Sequence, residues 1–378
     1  MHLWLYCLGG LLYDWLVYVV WTVIPIRAVS LEASPTQLGL LQTVSTVIYI
    51  LGCLLAGPLA DRGSRSFLAR LGCVGAILAC LAIARTRTLA GLYLTVPILA
   101  LGGSLFWPTV QAAIGRETRP ERIEKAIGLF NVFWSTGKGI GFLTAGWMVG
   151  KLGSVTALWS AALAALAIFF LYPWGDGPRA QADAAGALRE RFTFRLLAYV
   201  ANFFAFGVGS TLHIQIYKYL AREGLGTTLG RESFFGIFLG TVFLAQTATF
   251  FFMQRGRSWA YRRAPLYLAQ VLLAASAGTL PFLRTEFLLL ALAPGIGVGL
   301  GFCNASSIYY SLHGPAEHGK YSGIHEAVLG AGNIALPLLG GVLADGTGDL
   351  RTPYWLAAAA GVAAVTVEET VYRTRSRS

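Results

Sequence analysis

Apolar runs of about 20 residues recur along the whole of this chain, each long enough, at 1.5 Å rise per residue, to cross a hydrocarbon core about 30 Å thick. Set against the polar breaks between them, the runs predict twelve membrane-spanning helices. The first six fall at 4–27, 36–60, 67–85, 89–114, 125–149 and 153–173. The second six fall at 193–220, 232–254, 264–283, 286–312, 321–344 and 352–372.

Composition rules out the soluble alternatives. The 378 residues are 56% hydrophobic and 12% charged, against about 25% charged in a soluble domain. A net charge of +11 does not point to nucleic acid, because the basic residues sit in short loops rather than in one stripe interleaved with aromatics. The five cysteines, Cys7, Cys53, Cys73, Cys80 and Cys303, lie inside apolar segments without metal-type spacing. They read as small lipid- or core-facing residues, with no disulfide framework. The first 25 residues lack a basic leader and contain Asp14, so they are expected to stay as the first span rather than leave as a signal peptide.

The chain divides into a six-helix half at 1–174, a polar linker at 175–192 carrying Asp176, Pro178, Asp183, Arg189, Glu190 and Arg191, and a second six-helix half at 193–378. Of the Lys and Arg residues, nineteen fall in the even-numbered loops and the C-terminal tail, eight in the odd-numbered loops, and Lys138 and Lys218 within spans. The positive-inside rule then places both termini in the cytoplasm, and the protein is expected in the plasma, or inner, membrane. A shift of 195 residues lays Lys125, Gly128, Gly137 and Gly146 onto Lys320, Gly323, Gly332 and Gly341, so the fifth span repeats in the eleventh.

After the second span comes Gly57-Pro58-Leu59-Ala60-Asp61-Arg62-Gly63-Ser64-Arg65. This turn resembles the major facilitator signature Gly-x-Leu-Ala-Asp-Arg-x-Gly-Arg-Arg, short of one residue between Arg62 and Gly63. The resemblance implies an all-α membrane protein of two pseudo-symmetric six-helix bundles, with Asp61 set against the N-terminal end of helix 11 and biasing the outward-facing state. A solvated basic turn is the plainer alternative. After span 8, Gln254-Arg255-Gly256-Arg257 keeps the basic turn and lacks the acid.

In span 5, Gly128, Gly137, Gly141 and Gly146 resemble the glycine motif of major facilitator antiporters, with Phe142 and Ala145 departing from it; span 11 carries Gly323, Gly332, Pro337, Gly340 and Gly341. Small residues at this spacing let helices approach closely, which by itself is enough to explain them. Span 4, around Leu99 to Pro108, lacks the buried Arg that proton-driven drug antiporters of the family carry.

Ionisable residues inside a membrane face a cavity or a partner. Asp14 lies about 15 Å into span 1, placed to act as a proton-binding carboxylate or counter-ion. Lys138 lies too deep in span 5 to snorkel and requires a carboxylate or an anionic substrate group. An Asp14–Lys138 charge pair, either broken by substrate or proton or purely structural, is the simplest arrangement of the two. His325 and Glu326 belong to the cytoplasmic mouth of span 11, Glu326 corresponding to Asn131 by the repeat. Glu326 is either a coupling acid or an acceptor for amides at its own helix start. Cavity-lining candidates are Asn131, Trp134, Asn202, His213, Gln215, Tyr217, Gln246, Asn304, Tyr309, Tyr310 and Asn333.

The chain has no phosphate-cradling loop, nucleophile elbow or His pair at metal spacing, so neither an ATP-driven pump nor an enzyme is expected. No cofactor is called for. The expectation is a monomeric secondary active transporter of a small organic solute, working by alternating access, with ion-coupled export favoured by the span 5 glycines and protons as the candidate coupling ion. Uptake of an anionic metabolite through Lys138, and a non-transporting membrane sensor or scaffold of the same fold, are the alternatives.

Overall fold

The computed structural model describes residues 3–62, 65–119, 122–172, 189–312 and 318–376. The runs condense into twelve α-helices: α1 (Leu3–Ser30), α2 (Pro35–Arg62), α3 (Arg65–Arg85), α4 (Leu89–Glu117), α5 (Ile123–Leu152), α6 (Ser154–Leu171), α7 (Arg189–Arg222), α8 (Arg231–Met253), α9 (Arg263–Thr279), α10 (Glu286–Leu312), α11 (His318–Thr347) and α12 (Thr352–Ser376). Of these, α5 and α12 fall short of the hydropathy of a membrane span, while the other ten are long and apolar enough to cross one. Both are more polar in sequence, α5 through Lys138 and Asn131 and α12 through Glu368, Glu369 and the terminal arginines.

The expected repeat is visible in the helices themselves. α5 and α11 begin and end 195 residues apart. Within the first six helices α1 packs on α5 and α6, α2 on α4, and α3 on α4 and α6. The second six repeat each pairing: α7 on α11 and α12, α8 on α10, and α9 on α10 and α12. The two sets meet along α5 with α8 and α2 with α11, a symmetric couple, and more briefly where α1 and α2 touch α7. Each set has its own large apolar core, centred on residues such as Tyr13, Leu16 and Phe106 in the first and Phe204, Phe238 and Leu273 in the second.

Lipid offers no hydrophobic drive between helices, so close backbone approach and polar contacts must hold them together. A Cβ at Gly137 would fall on the carbonyl of Leu11, and one at Gly332 on the carbonyl of Phe203; these glycines therefore seat α5 on α1 and α11 on α7. Arginines secure helix ends, where the last carbonyls have no partner inside their own helix. Arg70 donates to the carbonyls of Phe169 (3.0 Å) and Tyr172 (2.6 Å) at the end of α6, and Arg27 donates to those of Ile83 and Thr86 at the end of α3.

Asp61 and Arg62 form the last turn of α2, where the backbone alone is described, and Gly63 lies outside the described residues. The Asp61 contact expected from the loop signature therefore falls outside them too. Arg65 opens α3 and is buried.

Candidate functional site

The helix pairings converge on a cavity between the two sets, about 510 Å³ of empty space lined by Tyr18 and Trp21 of α1, Gln42 of α2, Lys138 of α5, Phe206, Ser210 and His213 of α7, Phe243 and Gln246 of α8, Leu300 of α10 and Asn333 of α11. The 195-residue shift makes Asn333 the counterpart of Lys138, so the two repeats supply one lysine and one amide to the same space.

Lys138 is 7% exposed. Its ammonium nitrogen lies 4.4 Å from the centre of the Tyr18 ring and 3.8 Å from that of Phe243. Such cation–π contacts contribute about 0.5 to 2 kcal/mol each, more where water is excluded. Because Tyr18 belongs to the first set and Phe243 to the second, the lysine bridges the two. Asp14, one turn before Tyr18, is 5% exposed and lies near enough for its charge to act on Lys138. No ion pair within 4 Å joins them, and the expected direct charge pair is corrected accordingly: aromatic faces, not the carboxylate, hold the ammonium.

The rest of the cavity wall is polar and mostly neutral. Ser210 donates its hydroxyl hydrogen to the Asn333 side-chain oxygen, and Gln42 donates to Thr46 at 3.1 Å. The Oε1 atoms of Gln42 and Gln246 are buried without a hydrogen-bond partner. His213 packs edge-on against Trp21 and Phe142, its Nε2 lying 3.3 Å from the Trp21 carbonyl. Lys138 is the one Lys or Arg among the described lining residues, and no carboxylate is among them.

Of the residues singled out in the sequence, Lys138, His213, Gln246 and Asn333 line the cavity. Asn131 and Trp134 lie below it along α5, joined to each other at 2.9 Å, with Trp134 against Phe250 of α8. Glu326 lies seven residues before Asn333, about 10 Å along the helix, and interacts with Gln111 of α4 beside Tyr49 and Cys53 of α2. His325 points the other way, its Nδ1 2.8 Å from the Ser307 hydroxyl of α10. Asn202 and Asn304 are fully buried away from the lining, with amide atoms that have no partner.

Four more residues expected in the cavity, Tyr309, Tyr310, Tyr217 and Gln215, make their contacts elsewhere. Tyr309 and Tyr310 stack with Trp259 and Tyr261, where the Tyr310 hydroxyl accepts from the Tyr261 amide at 2.7 Å. Tyr217 donates to Glu232 at 2.7 Å. Gln215 donates to the carbonyl of Pro35 at 2.8 Å. Tyr18, Trp21, Gln42, Phe206, Ser210 and Phe243 were not anticipated; the only signal for them is position, such as Tyr18 one helical turn beyond Asp14.

Among the glycines singled out in the sequence, Gly141 sits where a Cβ would come 2.8 Å from the Trp15 carbonyl of α1, and Gly128 where it would come 2.5 Å from the side chain of Gln254, just past the end of α8. The Pro337 carbonyl lies against Gly39 and 3.4 Å from Gln215.

A polar cavity between two pseudo-symmetric helix sets in a membrane defines a carrier of the alternating-access class. The Major Facilitator Superfamily model matches residues 6–253, and the chain belongs to that family. Solved structures with a similar fold include a bacterial homolog to the human lysosomal transporter Spinster, inward-facing and unoccupied, with 18% identity and a TM-score of 0.68 over 99% of this chain and 96% of that one. The occupied inward-facing form of such a homolog gives 14% identity and a TM-score of 0.69 over 99% and 96%. A POT family transporter in complex with a thioalcohol-conjugated peptide gives 11% and 0.75 over 100% and 96%. No curated protein matches the sequence.

Proposed function

We propose that this transporter carries a small amphipathic organic anion, bound at the midplane with its negative group on Lys138. The observation that carries the reading is the Lys138 ammonium itself, buried in the cavity wall against two ring faces, with no ion pair within 4 Å to a described carboxylate. An anionic group would give it the charged partner that burial demands. Phe243, Trp21 and Leu300 suit an apolar body, and Gln42 and Gln246 offer acceptors to hydroxyl or amine groups on the solute.

Asp14, which feels the Lys138 charge without pairing with it, is the group best placed to exchange a proton as the solute arrives or leaves. Glu326, between α11 and α4, is the second candidate for coupling. The two helix sets, 1–174 and 193–378, rock about the site as units, with both termini in the cytoplasm of a plasma-membrane protein. The glycines of α5 support helix packing in both transport directions, so they do not single out export.

The test is uptake and counterflow in proteoliposomes with matched sets of organic acids, their amides and their amine analogues. Selective flux of the acids supports the reading; equal flux of all three, or flux of the amines alone, contradicts it. Absence of flux for every solute under an imposed proton gradient would favour the sensor reading.

A further inference from the structure

The four residues Ala33–Thr36, leading into α2, are held by side chains of the opposite helix set. Lys218 of α7 donates to the Ala33 carbonyl. Gln215, also of α7 and buried, donates to the Pro35 carbonyl at 2.8 Å. Asp345, near the end of α11, accepts from the Ser34 hydroxyl at 2.7 Å and from the Thr36 amide at 2.9 Å. One Asp345 oxygen thus serves both groups, and a carboxylate from one half of the molecule caps the first turn of a helix in the other half, where the free amides favour negative charge.

Backbone geometry allows this approach because position 341 is glycine: a Cβ there would fall on the Pro35 carbonyl. One level deeper, His213 meets the Trp21 carbonyl at 3.3 Å. Five hydrogen-bond contacts therefore join the two sets at the end of the bundle that holds the odd-numbered loops. Nearer the other end, crossings among the described residues include Thr247 to Ser135, at 2.9 Å, and Gln111 to Glu326.

We propose that this clasp is the gate that shuts the odd-loop end of the cavity, with Asp345, Gln215 and Gly341 as its gating residues. Asp345, on the α2–α11 seam, holds the odd-loop end closed. Opening the cavity at that end requires the Ala33–Thr36 segment to leave Asp345, Gln215 and Lys218 together. Asp345, Gln215 and Lys218 are not among the residues lining the cavity, so the gate operates whatever the cargo.

The test is a distance measurement by pulsed electron resonance on the full chain in lipid nanodiscs, in a variant lacking the five native cysteines and carrying spin labels at Glu32→Cys and Thr227→Cys, both exposed at the odd-loop end. The unmodified gate is expected to give a mainly short distance. Asp345→Ala and Gln215→Ala are each expected to raise the long-distance population roughly two- to fivefold. Gly341→Ala is expected to raise it further, because the gate no longer closes, and Asp345→Asn, which keeps an acceptor oxygen, to restore most of the short population. Asp345 is exposed and its replacement leaves the core intact, so folded Asp345→Ala protein is the arm that decides. Unchanged distances in Asp345→Ala and Gln215→Ala, whatever their melting temperatures, overturn the proposal.

Discussion

The ammonium of Lys138 and the ring of Phe243 belong to opposite helix sets and meet at 3.8 Å in the wall of the cavity between them. The contact ties the state of the cavity to the packing of the two sets, since anything that draws the lysine off the ring also loosens a bridge between them. Phe243→Leu keeps the apolar volume and removes the π face. It is expected to lower the melting temperature of the solute-free protein, by the loss of about 0.5 to 2 kcal/mol, while solute affinity holds or rises as Lys138 is released. A melting curve with and without transported solute checks both halves of this expectation.

Close approach at Gly137 gives a second expectation. Gly137→Ala puts a methyl group onto the Leu11 carbonyl and is expected to cost about 1 to 3 kcal/mol as α1 and α5 are forced apart. Gly115→Ala, at a position with nothing within 4 Å, is the control and is expected to leave thermal stability unchanged or slightly raised.

Glu368 is fully buried on α12, where one of its oxygens accepts from Gln270 of α9 at 2.8 Å and the other has no partner. Glu368→Gln preserves shape and removes the possibility of burying a charge, and is expected to leave stability equal or higher. Glu368→Ala strands the Gln270 amide and opens a cavity, and is expected to cost about 2 to 4 kcal/mol. Chemical or thermal unfolding of the two variants in the same detergent tells them apart. A Glu368→Gln loss as large as that of Glu368→Ala would mean that the carboxylate itself is required.

Asp14→Asn is expected to leave solute exchange between the two faces intact and to abolish accumulation driven by a proton gradient, since exchange needs the Lys138 site alone. Counterflow and gradient-driven uptake measured on one preparation separate the two. Equal loss of both would place Asp14 in binding rather than coupling.

Span number and the α5–α11 repeat were legible in the sequence because each is local: an apolar run of sufficient length becomes a helix in lipid, and a fixed shift aligns two helices. Azimuth was not. Whether Tyr309 and Tyr310 look into the cavity or toward Trp259 depends on how α10 is rotated against α9 and α7, which no single helix encodes. Gln215 was misplaced because its partner is the backbone of Pro35, 180 residues away in the chain, and any residue type offers a carbonyl. The Asp14–Lys138 pair failed on a matter of competition: Tyr18, on the same helix as Asp14, offers a π face within reach of the ammonium, a contact invisible to a reading that pairs only opposite charges.

The central claim is that Lys138 holds the negative group of the solute, and the most direct measurement is calorimetric titration of an organic acid, drawn from the proteoliposome screen, into purified wild-type protein and into Lys138→Gln and Lys138→Arg. The expected result is saturable binding to the wild type, a loss of affinity of about a hundredfold in Lys138→Gln, on the scale of losing a charged hydrogen-bonded pair, and partial retention in Lys138→Arg. Equal affinity of the acid for the wild type and Lys138→Gln would contradict it, and would place the anion on another part of the molecule.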